Sequence, residues 1–373
     1  MTVAAESADV REKLSGLDFS RTVPKDLVHR EALSELFLTD SRKVTGEHFV
    51  AAAQLPPSHA YWTDHTAPGV VDAADPLLLL ECCRQAETHA VHAHFGAPRD
   101  TVFVLRSWSM ELSGDASRDR ESPVGPGPRP GSGPVEFTMD VTTCDSRWRE
   151  DTLLGTTYVM DLYVAGRHSG EVRLRVAYLP GGTYAAMRSR SRGSTPPTSD
   201  AFRHHRDGTP VPPLRVGRSR EENVVLVDPV VDEDRVSARL RPAGEHPSLF
   251  DHPLDHFPGM VLMEAGRQLS VLAAGEWGRT PGASWTLTGL DASFRAYAEL
   301  DSPLILTAHR ADTGADTGAD TGAGSAANSD GHSGADGAAQ RLRVTFEQRE
   351  ETLAEAEFTL TATGPDAHRD AAR

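Results

Sequence analysis

Cysteine is scarce in this chain of 373 residues: there are three, Cys82, Cys83 and Cys144. The number is odd and two of them are adjacent, a geometry that rarely closes a bridge. A disulfide-built fold is therefore not expected, and a reducing cytoplasm is. Positive charge is also in short supply, with 38 Lys and Arg against 54 Asp and Glu and a formal net charge of −16. That balance argues against a nucleic-acid partner, which needs a basic face. Aromatics make up 6% and hydrophobic residues 38%, but the deficit is concentrated in a few patches rich in Gly, Pro, Ser and Asp, and the remainder is globular in composition. No apolar run approaches about 18 residues, so no membrane span is expected. Glu6, Asp9, Arg11, Glu12 and Lys13 occupy the stretch where a secretory signal would need apolar residues.

What is present is a duplication. HAYWTDH begins at His59 and HPSLFDH at His246, which sets Asp64-His65 against Asp251-His252. LECCRQ and MEAGRQ then set Glu81, Arg84 and Gln85 against Glu264, Arg267 and Gln268 at nearly the same offset. Further on, TYVMDLYVAGRHSGEVRLRVA (157 to 177) lies opposite RLRVTFEQREETLAEAEFTLT (341 to 361). Each reads as two alternating strands around a polar turn, AGRHSG in one and REET in the other. The length allows two domains, each with its own core.

Each half reads the same way: an Asp-His lead-in, one long apolar helix, then strands. The helices are expected over 76 to 95 and 258 to 277. Strands are expected over 101 to 112, 135 to 145, 284 to 297 and 303 to 311, followed by the two hairpins. PLLLLECC and PGMVLMEAG offer little solvent face, so both helices must be enclosed. A helix wrapped by a strongly curved antiparallel sheet is the hotdog architecture, and the fold expected is α+β, a tandem double hotdog. Its parts are a lead-in over 1 to 22, expected to be flexible, one repeat over 23 to 180, a linker over 181 to 214, a second repeat over 215 to 364, and a tail over 365 to 373. Residues 113 to 134 and 312 to 340 cannot form a core by composition and read as flexible insertions. The TGAD run in the second lacks the GGxGxD spacing of a calcium β-roll.

Glu81 with Arg84, and Glu264 with Arg267, stand three apart, so each pair shares a helix face. Such a pair among apolar residues either satisfies itself as a salt bridge or serves a cleft. Pro258 and Gly259 open the second helix and leave backbone N–H groups, at Gly259 and Met260, pointing outward at the positive end of the dipole. That end suits a carbonyl oxygen gaining negative charge. His252, Asp255 and His256 lie just before it. A carboxylate in an apolar helix has reason to shift its pKa upward, toward the range of a general base. His65, His252 and the neighbouring Asp residues read alternatively as structural turns, with Asp251 and Asp255 capping backbone N–H groups. His252 and His256 have the spacing of a helical zinc pair, but Pro253 and Pro258 oppose a continuous helix and no HExxH order is present. Cys82 and Cys83 read as small packing residues, since Glu81 beside them would raise a thiol pKa.

PGMVLMEAGRQ resembles the PGVLxxEAxxQ helix of the β-hydroxyacyl carrier-protein dehydratases, single-helix hotdog enzymes in which the helical Glu works with an upstream His. Glu264 falls on the Glu position, the matching upstream place is Phe250, and Arg267 has no counterpart, so plain dehydration is not what the motif favours. VPKDLVHREALSELFLTD, HAYW, DPLLLLECCRQAETHAVHAHFG and FDHPLDHFPGMVLMEAGRQ together resemble, in order, the A-factor biosynthesis (AfsA) family, the γ-butyrolactone autoregulator synthases. The resemblance covers about Val23 to Thr363. It implies an acyltransferase that moves a β-ketoacyl group from a carrier-protein or CoA thioester to the hydroxyl of dihydroxyacetone phosphate, giving a butenolide precursor, with no cofactor and no metal. Under that reading Glu264 or Glu81 supplies the base, Gly259 and Met260 the oxyanion donors, and Arg267 or Arg84 the phosphate anchor. His252, His256, His65, Gln268 and Gln85 are expected along the substrate site. The second half is the favoured site, because only there is a Pro-Gly helix start joined to the Asp-His segment. The competing readings are a hotdog thioesterase or dehydratase and a silent acyl- or lactone-binding protein. One chain already supplies two hotdogs, so either a monomer with internally paired hotdogs or a homodimer is expected.

Overall fold

Alternation decides how the long strands face. In Thr152–Val164 the side chains of Leu153, Tyr158, Met160, Leu162 and Val164 are buried while Thr157, Val159, Asp161 and Tyr163 are less so, the period of two that a sheet with one covered face requires. The computed structural model describes residues 12–65, 74–113, 133–205, 207–241, 243–278, 284–311 and 339–363. Most of both expected insertions and all of the tail lie outside the described residues.

The first half contains β1 (Leu38–Lys43), β2 (His48–Leu55), helix α1 (Pro76–Ala93), β3 (Thr101–Leu112), β4 (Val135–Arg149), β5 (Thr152–Val164) and β6 (Arg167–Pro180). A further helix, α2 (Gly181–Arg192), follows. The second half repeats the plan with β7 (Leu226–Val231), β8 (Arg235–Leu240), α3 (Gly259–Trp277), β9 (Ser284–Phe294), β10 (Ile305–Arg310), β11 (Ala339–Gln348) and β12 (Glu351–Thr363). All strands join one antiparallel sheet in the order β1-β2-β4-β5-β6-β3-β9-β12-β11-β10-β8-β7. The two halves have the same internal order and meet where β3 pairs with β9, from Ser107 opposite Ser293 to Glu111 opposite Gly289. The tandem double hotdog is thus paired within the chain.

The helices lie on the covered face of the sheet. Leu77, Leu79, Leu80, Cys82, Cys83, Ala86, Ala90 and Val91 of α1 are fully buried, as are Met263, Ala265, Leu269 and Ala273 of α3. Each large aliphatic side chain so placed contributes roughly 1.5–3 kcal/mol. Gly266 lets α3 come close to the sheet: a Cβ there would lie 2.3 Å from the ring of Phe358.

The hairpin turns are tighter than the polar letters AGRHSG and REET suggest. Each is two residues, Ala165-Gly166 and Arg349-Glu350, with positive φ throughout, the twist that matches two adjacent strands. The hairpins β1-β2 and β7-β8 were not expected. β2 is buried on both faces, with Phe49, Ala51 and Ala53 in the main core and Val50 and Ala52 under Leu17, Leu14 and Phe19, so it shows no alternation to read. The same contacts correct the expectation of a flexible lead-in, since its described part is packed from Leu14 onward. The expected linker carries α2, whose Arg188 is buried and bonds Glu299 at 2.6 and 2.9 Å and Asp255 at 3.2 Å.

Candidate functional site

Glu81 is fully buried on α1. Burial alone would push a carboxylate up, but two guanidinium groups outweigh it. Arg84, one turn on, donates from Nε (2.8 Å) and Nη2 (2.9 Å), and Arg30 donates from Nη2 (2.5 Å). Together they hold Glu81 down at about 2. Gln85 adds a bond from Nε2 at 2.8 Å and uses its remaining groups on the chain ahead of β1, donating to Glu35 O and accepting from Phe37 and Leu38 N–H.

The second half has the same cage. Glu264 is fully buried and accepts from Arg218 (Nη2, 2.8 Å), Arg267 (Nη2) and Gln268 (2.5 Å). Gln268 ties down the chain ahead of β7 through Val225 N–H and Asn223 O. One correction follows: Glu81 is an ion-paired carboxylate with a depressed pKa, the opposite of the upward shift expected of a base. Gln85 and Gln268 are fully buried and splice helix to sheet edge.

Arg30 and Arg218 escaped the sequence reading. The signal was there: VPKDLVHREALSELFLTD (23 to 40) aligns with VPPLRVGRSREENVVLVD (211 to 228), Arg30 upon Arg218 and Glu35 upon Asn223. The duplicated unit thus begins ahead of the motifs that first revealed it.

The Asp-His segments cross between halves. Asp251 accepts from the N–H groups of Glu31 (2.6 Å) and Ala32 (2.8 Å), directly after Arg30. Asp64 accepts from the N–H groups of Ser219 (3.1 Å) and Arg220 (3.3 Å), directly after Arg218, and from Asn223 (2.6 Å). Each half therefore fixes the loop that delivers the other half's second arginine. The capping role expected of Asp251 is present. Asp255 instead accepts from Tyr184 (2.8 Å) and Arg188 and lies 2.6 Å from His256 Nδ1.

The crossing decides which groups share a cavity. One of ≈730 Å³ is lined by Arg84, Glu87 and Thr88 of α1 together with His252, His256, Gly259 and Met260 of the second half. No side chain caps α3, and Pro258 O already accepts from Val261 and Leu262. The N–H groups of Gly259 and Met260 have no acceptor among the described residues and open on this cavity. A side chain at Gly259 would meet Leu105 at 2.5 Å and Trp108 at 3.0 Å, so only glycine lets the helix start sit so close to the wall. His252 Nδ1 is buried without a hydrogen bond, 3.7 Å from Asp251.

The equivalent place beside Arg267 is a cavity of only ≈30 Å³, lined by His65, Asp75 and Pro76. Asp75 caps α1 through Leu77 N–H (2.9 Å) and also takes Arg267 Nη1 (2.7 Å). Arg267 thus spends one Nη on Asp75 and the other on Glu264. Arg84 is bound to Glu81 along one edge only and turns Nη1 toward Thr88, 3.5 Å away. The helix start, His252 and His256 of the second half line a cavity with Arg84 of the first half, and Arg267 lies at the small one. Cys82 and Cys83 are fully buried, and burial pushes both thiols up, as packing residues require.

Residues 14–180 and 200–364 match the A-factor biosynthesis hotdog domain. Three similar proteins are each named 2-oxo-3-(phosphooxy)propyl 3-oxoalkanoate synthase. That of Streptomyces virginiae is 33% identical over 298 residues, covering 79% of this chain and 90% of its own. That of Streptomyces coelicolor is 30% identical over 294 residues, covering 77% and 81%. That of Streptomyces griseus is 30% identical over 353 residues, covering 92% and 95%.

Proposed function

The chain belongs to the A-factor biosynthesis (AfsA) hotdog family, and on that premise we propose that it transfers a 3-oxoalkanoyl group from a thioester to the hydroxyl of dihydroxyacetone phosphate. The relatives' name describes the ester that such a transfer yields. The exchange of a thiol for an alcohol changes no oxidation state, so it asks for no redox cofactor.

The observation that carries this reading is the shared cavity, in which an uncapped helix start faces a guanidinium of the other half. The thioester carbonyl is placed against the N–H groups of Gly259 and Met260, which stabilise the oxyanion of the tetrahedral intermediate. Arg84 offers to the phosphate its Nη1, which pairs with no carboxylate and meets only Thr88 Oγ1 at 3.5 Å. Glu81 acts through Arg84 as a positioning residue, fixing the guanidinium plane with two bonds. The acyl chain is placed along Leu105, Trp108, Val102 and Phe103, which line the same cavity. The donor is proposed to be a carrier-protein or CoA thioester.

The test is to incubate the purified chain with a 3-oxoacyl thioester and dihydroxyacetone phosphate and to weigh the products. A phosphorylated ester supports the reading. Free 3-oxo acid formed at the same rate with or without the acceptor contradicts it and favours a thioesterase.

A further inference from the structure

The acyl transfer needs a group that takes a proton from the acceptor hydroxyl, and Glu81, bound by two arginines, is ill suited to it. Another carboxylate lines the same cavity. We propose that Glu87 is the acid-base group of the reaction, an inference that rests on the function proposed above. Glu87 stands one turn beyond Arg84 on α1 and shares the cavity with Arg84, Gly259 and Met260. Its Oε1 accepts from Tyr178 Oη at 2.8 Å and its Oε2 from Thr88 Oγ1 at 3.2 Å. Behind Tyr178 lies Tyr158, Oη to Oη 2.9 Å. Unlike Glu81, Glu87 makes no ion pair among the described residues.

The duplication supplies a comparison. Counting from the shared Glu-x-x-Arg, the place of Glu87 is taken in α3 by Ser270; counting from the hairpin turns Ala165-Gly166 and Arg349-Glu350, the places of Tyr158 and Tyr178 are taken by Leu342 and Ala362. The arginine cage occurs in both halves, whereas the Glu87-Tyr178-Tyr158 relay occurs only beside the large cavity. A merely structural carboxylate has no reason to follow the cavity.

Chemically, Glu87 takes the hydroxyl proton as the alcohol oxygen forms its bond to the thioester carbon, and the carbonyl electron pair moves onto oxygen, facing Gly259 and Met260. When the oxyanion collapses, the C–S bond breaks and the thiolate takes the proton back from Glu87. Thioester and alcohol become ester and thiol, and the carboxylate is regenerated. Burial, acting against the bond from Tyr178, pushes Glu87 up to about 7, where it can both accept and return a proton at neutral pH. The charged or titratable groups that line the cavity with it are Arg84 on its own helix, Asp26, His29, Arg30, Glu31, Arg99 and Asp100 from first-half loops, Tyr184 on α2, and Asp251, His252, Asp255 and His256 ahead of α3, with Tyr178 on β6 and Tyr158 on β5 behind it. His29 is held at about 4, first by burial and then by the charges nearby, so it does not supply a limb near neutrality.

The experiment is steady-state ester formation by the full chain, wild type against Glu87→Gln and Tyr178→Phe, across pH. The wild-type rate is expected to rise with pH through about 7. Glu87→Gln keeps an acceptor for Tyr178 and is expected to lower kcat about 10²- to 10⁴-fold, to remove that limb, and to leave the KM for dihydroxyacetone phosphate within a few-fold. Tyr178→Phe, by removing a donor to the carboxylate, moves the limb to higher pH. An active wild type with an equally active Glu87→Gln, or with no limb near pH 7, overturns the assignment of Glu87 alone. A wild type that forms no ester overturns both this assignment and the function beneath it.

Discussion

Asp75 Oδ1 lies 2.7 Å from Arg267 Nη1, so the carboxylate that caps the first long helix is also the counter-ion of the second helix's arginine. This contact makes two halves of the same strand order unequal. It fills the place that Pro258 leaves open at the other helix start, and it takes Nη1 of Arg267, whereas Nη1 of Arg84 meets only the Thr88 hydroxyl at 3.5 Å. One half has retained a cage as structure while the other adjoins a cavity.

If the Arg267 cage is structural, removing it leaves Asp75 and Glu264 buried without their shared cation. Arg267→Ala is expected to lower unfolding free energy by about 3–5 kcal/mol, measured by urea denaturation at neutral pH. A change below about 0.5 kcal/mol would show that the buried pairing contributes nothing.

The pairing of Glu81 sets an acid limit. Its folded pKa, about 2, lies below the ordinary 4.5, so the folded state binds fewer protons over that interval. The stabilisation is complete above about pH 4.5 and is lost as pH falls toward 2, on the order of 3 kcal/mol for a shift of this size. Urea unfolding of wild type and Glu81→Gln from pH 5 down to about 3 should show the steeper decline in the wild type. Parallel declines would sink the assignment.

Glu87 has the reverse sign. Its folded pKa, about 7, lies above 4.5, so the folded state holds a proton that the unfolded chain has released. Its contribution is most favourable below about pH 4.5 and is lost as pH rises through 7. Glu87→Gln is therefore expected to be more stable than wild type at pH 8, by up to a few kcal/mol, while losing activity. A variant both less stable and less active at that pH would mark Glu87 as a structural residue.

Gly259 is required by contact with its surroundings. In Gly259→Ala the new Cβ displaces Leu105 and presses on Trp108, both of which line the cavity. Ester formation is expected to fall about tenfold or more, since small displacements of oxyanion donors are costly, with stability reduced by about 1–3 kcal/mol. Unchanged kinetics would show that the helix start is not where the thioester sits.

Much of this fold could be read from the chain. The strands β5, β6, β11 and β12 alternate over most of their length, β3 does so from Trp108 onward, and α1 and α3 are apolar nearly all round, so period and composition place them within a few residues. β1, β2, β7 and β8 were missed for identifiable reasons. β2 is covered on both faces, and β7 carries Pro229, a bulge between Val227 and Val230 and a positive φ at Asp228. The helical Glu, Arg and Gln were legible because they repeat. Their partners Arg30 and Arg218 repeat too, but in irregular chain just after short 3-10 segments, without periodicity. What could not be read was the crossing. Adjacency in sequence tells which helix a Pro-Gly start begins; which guanidinium it faces depends on the pairing of β3 with β9.

The most direct test of the account compares Arg84→Lys with Arg267→Lys in steady-state ester formation with dihydroxyacetone phosphate as the varied substrate. Lysine keeps the charge and the counter-ion but not the planar fork. The account predicts that Arg84→Lys raises KM for the phosphate substrate about tenfold or more, and that Arg267→Lys leaves both constants within about twofold. The reverse pattern, with Arg267→Lys impaired and Arg84→Lys unaffected, would contradict it.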